Sequence, residues 1–179
     1  GYGTDKAIFA FGNSGSVTNV KNLVNNSGVV ASDASGVGTS RQLCAAATYG
    51  TDKAIFGYGG VPDTAVTNKV SNSGVVASDT AGVGTARRML AATGFGDDKA
   101  IFGYGSTSSN VSLTNLVSNT GVVASDTTGV GTARQTLAAA KIGEGKAIFG
   151  YGEISSASSL TNLVSNTGVV SADVTGVGT

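Results

Sequence analysis

The run Lys53-Ala54-Ile55-Phe56-Gly57-Tyr58-Gly59 decides the fold of this chain. Read as a strand, it puts Phe56 and Tyr58 on one side and Ile55 with Gly57 on the other, so neither face is polar and both must be covered. Its first four residues, K-A-I-F, recur at 6–9, 53–56, 99–102 and 146–149, at intervals of 47, 46 and 47 residues. Four copies at a constant period describe a tandem repeat, in which each unit needs its neighbours to bury a core.

Further landmarks recur in every unit. N-x-V-x-N-[ST]-G-V-V begins at Asn22, Asn68, Asn115 and Asn162, and an aspartate follows at Asp33, Asp79, Asp126 and Asp173. A G-V-G-T link then leads to Arg41, Arg87 and Arg134 and on to a small apolar run such as Leu137-Ala138-Ala139-Ala140. Four short strands per unit follow from this pattern: the Ala-rich run, the K-A-I-F-G-Y-G run, the T-N-L-V-S run and the G-V-V-A-S-D run. Tyr49-Gly50-Thr51-Asp52 is suited to turn between the first two, and Asn119-Thr120-Gly121 between the last two.

Composition agrees with a folded β scaffold and excludes several functions. Eleven Lys plus Arg balance eleven Asp plus Glu in 179 residues, so no basic field exists to hold a nucleic acid. Apolar residues make up 40% of the chain, too many for a disordered linker, and the 28 glycines lack collagen spacing. One cysteine and no histidine leave no intrachain disulfide and no usual zinc, haem or copper ligand set, and no Cys–His or Ser–His–Asp arrangement. No cofactor is expected. No apolar run is long enough for a membrane span, and no signal-peptide pattern opens the chain.

Short antiparallel strands covered on both faces and repeated every 40–50 residues are what a β-propeller blade requires. The expected fold is therefore all-β, a β-propeller of four four-stranded blades within a single repeat domain, 1–179. Its units are 1–40, 41–86, 87–133 and 134–179, the first lacking its first, inner strand. Continuation into a larger ring, association of several chains, or a compact ring tolerating a three-stranded blade would each accommodate that shortfall. The first two are favoured, because an unpaired edge is a template for another chain.

These residues resemble the kelch-type β-propeller repeat, whose unit has an arginine before its first strand, an apolar second strand ending in a glycine pair, a third strand with polar ends and then a fourth. Arg41 and the runs 53–59, 67–71 and 75–79 occupy corresponding places, and the resemblance covers all four copies. The family's adjacent glycines become Gly57-Tyr58-Gly59, and its fourth-strand tryptophan is replaced by Val75 or Val76. The phrase is also similar to repeat arrays of phage and environmental microbial proteins. A kelch-class enzyme such as a copper oxidase is the least expected outcome, because copper needs imidazole ligands.

Candidate functional residues divide into frame and loops. The aspartates offer oxygen ligands to a hard cation, or else cap turns or pair with arginines. Arg41, Arg87 and Arg134 could hold an anion at a channel mouth, or pair with the aspartates eight residues upstream. Cys44 aligns with Leu90 and Leu137 and is expected to fill the same core site. G-V-G-T and G-Y-G lack the strand–loop–helix context of a phosphate loop and are turn glycines. Asn25-Asn26-Ser27 and Asn110-Val111-Ser112 fit the glycosylation sequon, a triplet frequent by chance in such a chain.

The copies differ most between second and third strands, at 13–18, 60–66, 106–112 and 153–159. In an up-and-down blade this connection lies on the same side as the link to the next blade. Asn13, Asp63, Ser108, Asn110, Glu153 and Ser156, with Arg41, Arg87 and Arg134, are therefore the expected binding residues of a loop face. The function expected is a non-catalytic scaffold that binds protein or glycan, in an extracellular or virion setting. The alternative is a purely structural module that assembles into rings or fibres through its unpaired strand edge.

Overall fold

The computed structural model describes residues 1–178. It contains eleven strands and, among the described residues, no helix. They are β1 (Ala7–Asn13), β2 (Val17–Val24), β3 (Ala45–Tyr49), β4 (Lys53–Gly57), β5 (Thr67–Val70), β6 (Ala91–Phe95), β7 (Lys99–Gly103), β8 (Thr114–Val117), β9 (Ala138–Ile142), β10 (Lys146–Gly150) and β11 (Thr161–Val164). They form four antiparallel sheets, β1-β2, β3-β4-β5, β6-β7-β8 and β9-β10-β11. The all-β expectation and the repeated sheets stand, and each K-A-I-F-G run is the middle strand of its three-stranded sheet. Phe56, for instance, lies between Ala46 of β3 and Asn68 of β5.

The fourth run of each unit departs from expectation: it makes isolated bridges, not a strand. Val76 bridges Val70 and Thr80 bridges Thr67, a register that slips by one residue between the two. The cause is the side chain of Asn68. Its Nδ2 donates to the Ala77 carbonyl at 3.1 Å and to Asp79 at 2.8 Å, taking an acceptor that a continuous ladder would have given to a backbone N–H. Asn115 and Asn162 do the same to Ala124 and Ser171.

The sheets stack face to face in chain order, and each interface is a separate apolar core. Ile55 and Tyr58 of the second unit meet Phe102, Val117 and Val123 of the third. Tyr58 thus shares the side of Ile55 and Gly57 and not, as alternation predicts, that of Phe56, because its positive φ ends the strand alternation. Ile101 and Tyr104 of the third meet Phe149, Val164 and Val170 of the fourth. Phe11 and Ala10 of the first meet Phe56, Val70 and Val76 of the second. Each interface centres on an edge-to-face aromatic pair with centroids 5.1–5.4 Å apart, Phe11–Phe56, Tyr58–Phe102 and Tyr104–Phe149.

Glycine after K-A-I-F admits a close approach of the next sheet in the second and third units, where the first unit has Ala10. A Cβ built on Gly57 would stand 2.7 Å from the Phe102 ring, and one on Gly103 2.6 Å from the Phe149 ring. The small residue is the socket into which the next unit's phenylalanine presses, so the strand pattern of one unit dictates the docking of the next. Among the described residues no helix is long and apolar enough to cross a membrane.

Candidate functional site

The residue after the socket glycine, Tyr58, Tyr104 or Tyr151, takes a left-handed backbone with φ of 61–62°. For a non-glycine residue this conformation costs about 1–2 kcal/mol. It turns the tyrosine carbonyl toward the arginine at the start of the same unit. Arg41 Nε donates to Tyr58 O at 2.9 Å, Arg87 Nε to Tyr104 O at 2.8 Å, and Arg134 Nε to Tyr151 O at 2.8 Å. A hydrogen bond from a charged donor contributes about 1.5–3 kcal/mol, enough to offset the strain.

The same guanidinium groups are spent on further partners. Arg87 Nη2 donates to Asn115 Oδ1 at 2.8 Å and its Nη1 to Thr85 O at 3.2 Å. Arg134 repeats this with Asn162 at 2.7 Å and Thr132 at 3.1 Å. In the second unit the corresponding Arg41 Nη2 and Asn68 Oδ1 are both buried without a hydrogen-bond partner. Each guanidinium also stacks on the aromatic of the unit before it, with Cζ 3.9 Å from the Phe11 centroid for Arg41, 4.3 Å from Tyr58 for Arg87 and 4.3 Å from Tyr104 for Arg134. All three arginines are buried, and burial holds the Arg41 and Arg87 guanidinium pKa below the ordinary value. They are placed inside the units and do not line the loop face.

The aspartates complete the frame, with a pairing that differs from the one expected. Arg87 does not meet Asp79, eight residues upstream. Its Nη1 lies 3.9 Å from Asp126 Oδ1, and Arg134 Nη1 lies 3.8 Å from Asp173 Oδ1. Folding the unit back through three strands brings its end to its beginning, whereas the link between units carries the upstream aspartate away. Asp126 Oδ2 accepts the backbone N–H and the hydroxyl of Thr85 at 2.9 and 2.7 Å, and its Oδ1 accepts Asn115 at 2.9 Å. Asp79 is held in the same way by Thr39 and Asn68, and Asp173 by Thr132 and Asn162.

Partial burial would raise these three carboxyls. The threonine and asparagine hydrogen bonds and the arginine charge outweigh it and hold all three below the ordinary carboxylate range. Asp33 accepts from Asn22 at 2.8 Å but, among the described residues, from no threonine. With their oxygens turned into protein donors, the aspartates do not converge: no group of three metal-ligating side chains forms among the described residues.

The loop residues lie together along one side. Asn13 Nδ2 donates to Gln42 Oε1 at 3.0 Å, Asp63 pairs with Arg88 at 2.7 Å, and Asn110 Nδ2 donates to Glu153 O at 3.1 Å and Ile154 O at 3.0 Å. Each contact ties a loop to the link or loop of the following unit, so the four loops form a row. Asn13, Ser108, Glu153 and Ser156 are exposed, while Asp63 and Asn110 are half-buried in these ties. Sequence reasoning missed Gln42 and Arg88. Their signal is the position directly after the repeated arginine, occupied by Gln42, Arg88 and Gln135, which varies between units.

Two cavities flank the sheets. One of about 440 Å³ lies against the first strands, lined by Ala47, Thr48, Thr93, Asp97 and Lys141. Another of about 270 Å³ opens beside β1, lined by Phe9, Phe11, Asn13, Asn22 and Asp33. Cys44 is partly buried at the place of Leu90 and Leu137, and burial pushes its thiol pKa up. The chain matches no protein-family model, and a search of curated proteins finds no relative.

Proposed function

We propose that this chain is a kelch-like β-propeller scaffold, non-catalytic, that binds a protein or a glycan through its row of variable loops in an extracellular or virion setting. The observation that carries the reading is the contrast between frame and loops. The Arg–Tyr–Asn–Asp–Thr frame is the same, bond for bond, in the third and fourth units, while loops 106–112 and 153–159 differ in sequence above it. A rigid support that holds variable, polar loops side by side is the usual architecture of recognition. Their Ser, Thr, Asn and Gly residues suit hydrogen bonding to sugar hydroxyls or peptide groups.

Propeller organisation is supported by the face-to-face order of the sheets. The first strands β3, β6 and β9 neighbour one another in sequence, as inner strands around an axis would. The test is a glycan array together with a panel of purified surface proteins, probed with the wild-type chain. A second chain with 106–112 and 153–159 replaced by Gly/Ser of equal length serves as the comparison. A ligand held by the first and lost by the second, at unchanged melting temperature, is expected. A ligand retained by the second, or no ligand in either panel, overturns the reading.

A further inference from the structure

The three interfaces inside the chain have one design, and each of its two halves is also present uncovered at an end of the stack. The first half is the knob face. In the second, third and fourth units it carries Phe56, Phe102 and Phe149, with Val76, Val123 and Val170, all buried against the preceding unit. In the first unit the same positions are Phe9, 63% exposed, and Val30, 54% exposed.

The second half is the socket face. Gly57 and Gly103 receive the next phenyl ring, Tyr58 and Tyr104 meet it edge-on, and Leu23 and Leu116 flank the contact. In the fourth unit the socket is Gly150, where an added Cβ would touch only Thr161 of its own sheet at 3.6 Å. Tyr151 beside it is 49% exposed and Leu163 40% exposed.

A second pair of positions repeats the relationship. The aromatic closing each first strand packs on the turn glycine of the following unit, Tyr49 on Gly121 and Phe95 on Gly168. Ile142 holds the aromatic's place in the fourth unit and is exposed, and Gly28 holds the glycine's place in the first with nothing within 4 Å. The two end faces therefore match each other, apolar knob to apolar socket, at two separated points.

We infer that the first-unit face, Phe9 with Val30 and Gly28, docks on the fourth-unit face, Gly150 with Tyr151, Leu163 and Ile142, of a second copy of this chain. The occupant is a second copy because the contact it would make continues an interface the chain already builds three times within itself. The two faces are different surfaces, so the contact is head-to-tail, and it closes into a ring or propagates as a filament according to the rotation between copies. The contact is made by the sheet faces and does not depend on what the loops bind.

The test uses light scattering on the whole chain and two variants, Phe9→Ser and Gly150→Val, with circular dichroism to show that each is folded. Phe9 is exposed, a Cβ added at Gly150 meets only Thr161, and the Gly150 backbone is not left-handed, so folding is expected to be retained. Wild type is expected at a whole-number multiple of the chain mass and each variant alone at the monomer mass. An equimolar mixture of the variants retains one intact knob and one intact socket, and should give a dimer and nothing larger. Should Gly150→Val misfold, Leu163→Ser serves in its place. Wild type that stays monomeric at every concentration, a variant that still assembles, or a mixture that stays monomeric overturns the proposal. A monomer in all samples with Phe9 protected from solvent would identify closure within one chain, which also overturns it.

Discussion

Arg87 Cζ lies 4.3 Å from the centroid of the Tyr58 ring, which belongs to the preceding unit, while Arg87 Nε donates to Tyr104 O within its own unit at 2.8 Å. One guanidinium thus joins two units, and Tyr58 and Tyr104 each serve twice, the carbonyl to one arginine and the ring to the next. The stack is coupled through buried charge as well as through apolar contact.

Arg87→Lys should therefore be costly although it conserves charge. An ammonium cannot donate along the fork to Tyr104 O, Thr85 O and Asn115 Oδ1 together, nor lie flat on the Tyr58 ring. A loss of about 2.5–6 kcal/mol is expected, the sum of a charged hydrogen bond and a buried acceptor left unsatisfied. The urea midpoint of the variant against wild type measures it, and a change under about 0.5 kcal/mol, the ordinary surface range, would contradict the frame role.

Stability should fall on the acid side. The folded pKa values of Asp79, Asp126 and Asp173 lie below that of an unfolded aspartate. Their contribution is full above about pH 4 and is lost as pH drops from there through the folded values. Melting temperature should be flat from neutral pH to about 5 and decline below about 4, and Asp126→Asn should make that decline shallower. A wild-type profile without an acid limb would exclude this account.

An alkaline limb should come from the tyrosines. Burial raises the Tyr58 phenol to about 12, and its O–H donates to Val83 O at 3.1 Å. Tyr49 and Tyr104 are raised in the same direction, again mainly by burial. A raised folded pKa stabilises fully below the unfolded value near 10 and is lost as pH climbs from there toward about 12. Ultraviolet titration of the phenolates should show three tyrosines, Tyr49, Tyr58 and Tyr104, ionising above the ordinary range.

Gly103→Ala should destabilise by about 1–3 kcal/mol, because the new methyl group meets the Phe149 ring and neither sheet can retreat without opening the core. Thermal melts of Gly103→Ala and of the double variant Gly103→Ala/Phe149→Leu separate the steric cause from backbone entropy. Partial recovery in the double variant is the expected result.

Much of this was legible in the chain itself. The repeat period, the strand runs and the Tyr49–Asp52 and Asn119–Gly121 turns follow from local pattern, because alternation and turn chemistry act between residues a few positions apart. Loop 106–112 could be marked as variable by comparing the copies alone. Gln42 and Arg88 could not be valued, since their partners Asn13 and Asp63 are 29 and 25 residues away.

The sequence by itself determined that four like units of short β-strands exist and where each begins, because periodicity and glycine placement are local properties. Only the tertiary structure decided that Arg87 answers to Asp126 and not to the nearer Asp79, and that Asn68 interrupts the last strand of its unit. It also decided that Phe102 enters a socket made by Gly57. Those outcomes depend on which distant surfaces a folded unit brings within a few ångströms, and separation along the chain carries no information about that distance.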